Sequence, residues 1–133
     1  MIQRTLCEDH WDGVGLRPFE HPAWTPDGAK AALERLDGQR LTQLLLTVGE
    51  DRLMLIGGGG NRFSVSICFD VDRELYTLVD PAKADTVTED LLIGGQLGCF
   101  PANQIVAQDR VLAAIEHFHR EGAASPGLTW LRE

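Results

Sequence analysis

Residues 41–79 read LTQLLLTVGEDRLMLIGGGGNRFSVSICFDVDRELYTLV, in which short apolar runs alternate with turn-forming Gly, Asn and Asp residues. This pattern predicts four strands, at 41–48, 53–56, 63–69 and 75–79. The third strand is the clearest, because apolar side chains alternate with serines and a cysteine along its whole length. Connections this short join antiparallel neighbours, since parallel strands need long crossovers. The stretch therefore predicts an antiparallel meander.

Helical patterns flank this meander on both sides. A capping residue and a proline at the first helical position, Thr25-Pro26, precede apolar residues at helical spacing and predict a helix at 26–37. A second apolar stripe predicts a helix at 108–121, and the final apolar run predicts a strand at 128–131. Together these elements predict an α+β fold, with a single antiparallel sheet of four to six strands and two main helices packed on one face.

The length of 133 residues predicts one domain, 1–133. Its first part, 1–25, is interpreted as an irregular N-terminal segment with a short edge strand at 2–6 as an alternative, and 26–131 as the α+β domain. Between the meander and the second helix, 81–90 predict a polar loop and 91–93 a short further strand that glycines end.

The composition excludes several classes of protein. Acidic residues number 20 and basic residues 12, so the formal net charge of −8 argues against direct binding to nucleic acid or to an anionic membrane. No apolar run approaches the ~18 residues that span a bilayer, and we find no secretory signal at the N-terminus. The three cysteines, Cys7, Cys68 and Cys99, lack metal-binding or redox spacing, which favours reduced thiols in the cytoplasm.

The run Gly57–Gly60 has no phosphate-loop context. A phosphate loop needs a lysine and a following helix, whereas Asn61, Arg62 and a predicted strand follow this run. The run favours a flexible hairpin connection. The alternative is that bare backbone allows close approach of a partner chain.

The histidines form no recognisable metal or catalytic motif. His117 and His119 are two residues apart in a predicted helix, so they point about 200° apart and cannot bind the same ion. No nucleophile motif accompanies His10 or His21. We therefore predict that the protein is not an enzyme and has no catalytic residue, metal site or cofactor.

Carboxylates concentrate in the predicted turns, where few lysines lie nearby. Each alone is explained as a solvated turn residue, but together they form an acidic rim that suits a basic protein partner through complementary charge. The predicted contact residues are Glu50, Asp51, Asp70, Asp72, Glu74, Glu89 and Asp90.

The C-terminal part of the chain carries motifs of a known family. Phe100-Pro101 precedes the second helix, Phe118 lies late in that helix, and Pro126 and Trp130 follow a glycine. Together with the earlier helix, the glycine-rich turn and the serine-containing strand, these motifs resemble the type-one Imm family of immunity proteins from bacterial polymorphic toxin systems.

This resemblance covers roughly residues 27–131 and implies a function. Members of the family are not enzymes; each is encoded beside a toxin and binds it. The toxins are often nucleic-acid deaminases, including those that act on cytosine in double-stranded DNA. For this chain the resemblance implies a stoichiometric inhibitor whose partner is a basic deaminase toxin domain.

Two other functions stay open on the sequence. One is a small cytoplasmic α+β ligand-binding protein or enzyme with a pocket near 94–101. The other is a homodimer that pairs through an exposed strand edge. Trp24 and Trp130 each suit either a core position or a binding hot spot.

Overall fold

A computed structural model describes residues 3–12, 15–69 and 74–132. Seven strands form one antiparallel sheet: β1 at Arg4–Asp12, β2 at Gly15–Pro22, β3 at Leu41–Val48, β4 at Arg52–Gly59, β5 at Arg62–Phe69, β6 at Glu74–Val79 and β9 at Thr129–Arg132. Their spatial order is β2-β1-β3-β4-β5-β6-β9. The remaining strands, β7 at Thr88–Ile93 and β8 at Gln96–Pro101, form a separate two-stranded hairpin.

Both predicted helices are confirmed. The first, α1 at Pro26–Arg35, begins where predicted because the Thr25 hydroxyl accepts a hydrogen bond from the Gly28 N–H at 3.1 Å. The second, α2 at Gln108–Glu121, ends at Gly122, which adopts a left-handed φ of 63° and donates its N–H to the Phe118 carbonyl. No helix in the described ranges is long and apolar enough to cross a membrane.

The main hydrophobic core lies between these helices and one face of the sheet, the inner face. Leu44, Leu46 and Val48 on β3 point to it, and Leu46 pairs across the strands with Met54 on β4. Both helices contribute buried residues to this same cluster: Ala29, Ala32, Leu33, Val111, Ala114, Ile115 and Phe118. The meander and the α+β class are therefore confirmed.

The prediction of an irregular segment at 1–25 is wrong, because β1 and β2 occupy most of it. β1 lies between β2 and β3, and its sequence shows no clean alternation because Glu8 and Asp9 are buried in it. β2 contains Pro18 and Pro22, which an edge strand tolerates because one side of its backbone makes no ladder hydrogen bonds. These two strands bring the sheet to seven, above the predicted four to six, and the β7–β8 hairpin is a second sheet where a single one was predicted.

The strand predicted at 91–93 is confirmed and ends before Gly94 as predicted, whereas Gly98, also predicted to break it, lies inside the next strand, β8. Gly94 and Gly95 have φ values of 60° and 77°, and they form the turn between β7 and β8. The hairpin begins at Thr88, inside the predicted loop 81–90. It lies on the opposite side of the sheet from the helices, the outer face, because Ile93 packs directly over Gly57.

The two tryptophans pack inside the molecule. Trp24 is 4% exposed, stacks on Phe118 with ring centroids 6.5 Å apart, and donates its ring N–H to the Thr47 carbonyl at 3.0 Å. Trp130 is half-buried and donates its ring N–H to the Ser125 carbonyl at 2.9 Å. Trp24 therefore belongs to the core and is not an exposed anchor for a partner.

Candidate functional site

Three of the predicted carboxylates lie at one end of the sheet. Glu50 and Asp51 form the turn between β3 and β4, and Glu74 begins β6. The register places them at the same end, because Arg52 pairs with Phe69 and Phe69 pairs with Glu74. We call this the upper end of the sheet. Asp70 and Asp72 lie outside the described residues.

Glu89 and Asp90 lie at the opposite, lower end. The sequence predicted a turn for both residues, but they lie in strand β7. The Glu89 carboxylate lies 2.6 Å from the guanidinium of Arg62, which begins β5 beside Gly59. Since Gly59 is seven residues after Arg52 along β4, about 23 Å separates the two ends. The five described carboxylates therefore do not form one continuous surface.

Arginines offset part of this acidic charge, contrary to the expectation of few basic neighbours. Glu74 lies 3.4 Å from the Arg132 guanidinium, and its other oxygen accepts a hydrogen bond from the Tyr76 hydroxyl at 3.3 Å. Glu50 and Asp51 are different: both belong to a tight turn, and neither forms an ion pair with any other described residue. Among the described carboxylates of the upper end, this pair is therefore uncompensated; at the lower end the side chain of Asp90 likewise forms no ion pair with a described residue.

Two further arginines at the upper end bind the C-terminus of α2. Arg4 donates twice to the His119 carbonyl, at 3.1 and 3.0 Å, and Arg52 donates to the Glu121 carbonyl at 3.1 Å. These carbonyls have no partner within the helix, and their partial negative charge favours a cation. Arg4 and Arg52 are therefore engaged in holding α2 against the sheet.

His119 on α2 contacts Trp24 and has a structural role. The His119 ring packs edge-on against Trp24 at 4.7 Å, and its Nε2 lies 3.1 Å from the Trp24 carbonyl. Burial and the nearby Arg4 charge lower the pKa of His119 below its usual 6.5, although the hydrogen bond to Trp24 opposes the shift. No three His, Cys, Asp or Glu side chains within the described ranges converge as a metal site requires.

Sequence reasoning missed a buried ionic cluster at β1. Glu8 is 2% exposed, and its carboxylate binds the Arg35 guanidinium at 3.0 Å and lies 2.6 Å from the His21 ring. Next to it, Asp9 accepts hydrogen bonds from the backbone N–H groups of Thr42 and Gln43. These contacts join β1 to α1, β2 and β3, so the cluster supports the fold.

A cleft of about 220 Å³ adjoins this cluster, between α1 and the end of β2. Leu6, Trp24 and Ala32 line it, with His21 and Arg35 also in its wall. His21 and Arg35 both already contact Glu8, so the cleft offers no uncommitted acid–base pair within the described part of the chain. It also lies away from 94–101, the region where the ligand-binding alternative placed a pocket.

The glycine run is explained by contacts within the chain. A Cβ at Gly57 would lie 2.5 Å from the Ile93 side chain, and one at Gly59 would lie 2.5 Å from the Gly38 backbone nitrogen. Gly58 has a φ of 111°, which a side chain would strain. Most of the run lies inside β4, so it is not the flexible connection that the sequence favoured. The alternative expected a partner chain to approach the bare backbone, but the chain's own β7–β8 hairpin and the segment directly after α1 make that approach.

The outer face carries leucines at the upper end. Cross-strand pairing places Leu45 beside Leu55, and it places Leu53 and Leu75 on either side of Cys68. At the edge, Leu131 on β9 pairs with Thr77 and is 43% exposed. We call these residues the leucine face: Leu45, Leu53, Leu55, Leu75 and Leu131. All but Leu131 are half-buried, unlike the leucines of the inner face, which are closed off from water.

Comparison with known proteins identifies a family match. The model of the family described as Immunity protein Imm1 matches residues 17–132, which include most of β2, both helices and every later strand. No curated protein matches the chain.

Proposed function

We propose, from the premise that this chain belongs to the Imm1 family of immunity proteins, that it neutralises a cognate toxin by binding it in a one-to-one complex. The family match carries this proposal, and it agrees with the resemblance recognised at the C-terminal motifs. The match supports a role in toxin immunity. Stoichiometric binding without catalysis is the mechanism we expect for this chain.

We further propose that the toxin is a nucleic-acid deaminase, and that its substrate is cytosine in DNA. This identity follows from the resemblance and is supported by charge. A protein that acts on nucleic acid needs Lys and Arg along its substrate groove. An inhibitor with a net charge of −8 is attracted to such a groove and associates with it rapidly. We expect the encounter to occur in the cytoplasm, as the cysteine pattern predicts.

The proposed contact residues are the seven predicted carboxylates, with different weights. Glu50 and Asp51 can meet a basic partner without giving up an existing ion pair, whereas Glu74 and Glu89 must exchange one. Asp90 is exposed at the lower end, and Asp70 and Asp72 remain part of the proposal. Rim charges of this kind act mainly on the association rate.

The test begins with co-purification of the protein with the product of the adjacent gene, followed by rescue of cells from that product's toxicity. The variant Glu50→Lys with Asp51→Lys is then compared with Glu34→Lys with Glu116→Lys, which changes the charge equally on the exposed surface of the helices. We expect the first pair to slow association about tenfold at low salt and to flatten the salt dependence. The second pair should have a smaller effect.

Two outcomes contradict different parts of the proposal. If the wild-type protein neither binds nor neutralises the adjacent toxin, the immunity function of this chain is wrong. If it binds, but all the charge reversals leave the association rate unchanged across salt concentrations, the acidic contact surface is wrong and immunity stands.

A further inference from the structure

We propose that the leucine face is the central docking surface for the toxin, and that Glu50 and Asp51 form its acidic border. The proposal rests on the immunity function proposed above. It places the apolar centre of the interface on the outer face of the sheet, at the end that the β7–β8 hairpin leaves uncovered.

The register brings the leucines into one patch. Leu45 and Leu55 are directly opposite each other on β3 and β4, and Leu53 follows two residues before Leu55 on the same face. Directly opposed residues on one face have Cβ atoms about 4.5–5.5 Å apart, and next-row neighbours remain within reach of a leucine. Leu75 and Leu131 extend the patch across β6 and β9. A partner could therefore contact all five at once.

The patch and its small neighbours lack charge. Eleven outward positions of the upper sheet, on β1, β3, β4, β5, β6 and β9, carry no Asp, Glu, Lys or Arg: Thr5, Cys7, Leu45, Thr47, Leu53, Leu55, Ser66, Cys68, Leu75, Thr77 and Leu131. Across the whole chain, 24% of residues are charged. A sheet face in contact with water normally carries polar and charged side chains, whereas the centre of a protein interface is depleted of charge.

Among the described residues, the β7–β8 hairpin covers the lower part of this outer face; above it Thr77 is also buried, whereas the five leucines keep contact with water. Ile93 of the hairpin lies over Gly57, and Gly94 lies against the Gln43 side chain. Those contacts are one row below Leu45 and Leu55, and they bury Gly57 completely enough that no side chain fits there. The hairpin thus shows that this face accepts a packed segment, and the leucine face continues the same surface upward.

The border of the patch indicates the charge of its occupant. Asp51 is two residues before Leu53 in the chain, and Glu50 lies in the same turn. A partner that covers the leucines therefore brings its periphery against two uncompensated carboxylates. Such a partner has an apolar patch bordered by Lys or Arg, which fits a nucleic-acid-acting toxin and disfavours an acidic protein.

The decisive experiment combines Leu53→Thr with Leu55→Thr and measures toxin binding kinetics. Threonine suits a strand, so the double variant should fold with an unchanged circular-dichroism spectrum. Loss of apolar contact should raise the dissociation rate by about tenfold or more, with little effect on association. The matched control is Leu97→Thr on β8, a leucine that is 71% exposed and lies outside the patch; we expect it to bind like the wild type.

Each outcome is informative. If the toxin binds the wild type and the double variant with equal dissociation rates, the leucine face is not the docking surface. If sedimentation shows that the wild type is a dimer and the double variant a monomer with unchanged toxin binding, a second copy occupies the face, and the proposal is likewise overturned. Failure of the wild type to bind any toxin contradicts the immunity function itself. Should the double variant unfold, Leu131→Thr at the exposed edge strand provides the same comparison with less risk to the core.

Discussion

The two faces of the seven-stranded sheet carry similar residues and meet different surroundings. On β3, Leu46 on the inner face is 0% exposed beneath the helices, whereas its neighbour Leu45 on the outer face is only half-buried. The outer face is itself divided, because the hairpin covers its lower end at Gly57 and leaves the leucines above. The contrast teaches that an apolar strand position predicts burial without saying whether the covering surface belongs to the same chain.

The largest expected effect on stability comes from replacing a leucine by alanine on the inner face and, for comparison, on the outer face. Leu46→Ala should lower the free energy of unfolding by about 3 kcal/mol, because it leaves a cavity in a closed core. Leu45→Ala should cost about 1 kcal/mol, because that leucine already contacts water. Urea unfolding of both variants measures the difference. Equal losses would mean that the outer leucines are as closed off as the inner ones, and the distinction between the faces would fail.

The covered half of the outer face is tested at Gly57. Gly57→Ala should lower the free energy of unfolding by about 2 kcal/mol, since the new methyl group collides with Ile93. Adding Ile93→Ala removes the collision, so the double variant should lose less stability than the two single variants combined. Gly127→Ala is the control, because a Cβ there meets its nearest neighbour only at 3.8 Å. Additive losses would show that the hairpin does not press on Gly57.

The smallest expected effect concerns the helix layer that covers the inner face. The pKa of His119 in the folded state lies below its usual 6.5, so the fold favours the neutral ring. That contribution is complete above the unfolded pKa and is lost as pH falls below about 6.5 toward the folded value. The melting temperature should therefore be lower at pH 5.5 than at pH 7.5, and His119→Gln should reduce this decrease. An unchanged decrease in the variant would assign the pH dependence to other groups.

The central strands and both helices were predictable because their signals are local. The alternation from Phe63 to Phe69 and the Thr25 cap involve residues close in the chain, and the structure keeps their predicted boundaries within a few residues. Beyond the short edge strand considered at 2–6, the N-terminal strands escaped prediction because β1 buries Glu8 against Arg35 on a helix 27 residues away. No local sequence pattern predicts the ion pair between Glu8 and Arg35.

The acidic residue types of the candidate site were predictable from the sequence, whereas their positions in the fold were not. The acidic turn at Glu50 and Asp51 is visible in the sequence, but its separation from Glu89 and Asp90 depends on where β7 docks. The leucines of β3 and β4 were recognised only as strand residues. Their signal was the run LTQLLLTV, which is apolar at positions that point to both faces.

By itself, the sequence determined the family, the helices and the central meander, because spacing, capping and turn residues act over a few positions. Only the tertiary structure decided which side of each strand is closed. The hairpin covers Gly57 and stops below Leu45, and the two helices close off the core that contains Leu46, through contacts between segments far apart in the chain. Burial of a strand residue depends on which distant segments of the chain pack over it, and the residue pattern of the strand does not specify those segments.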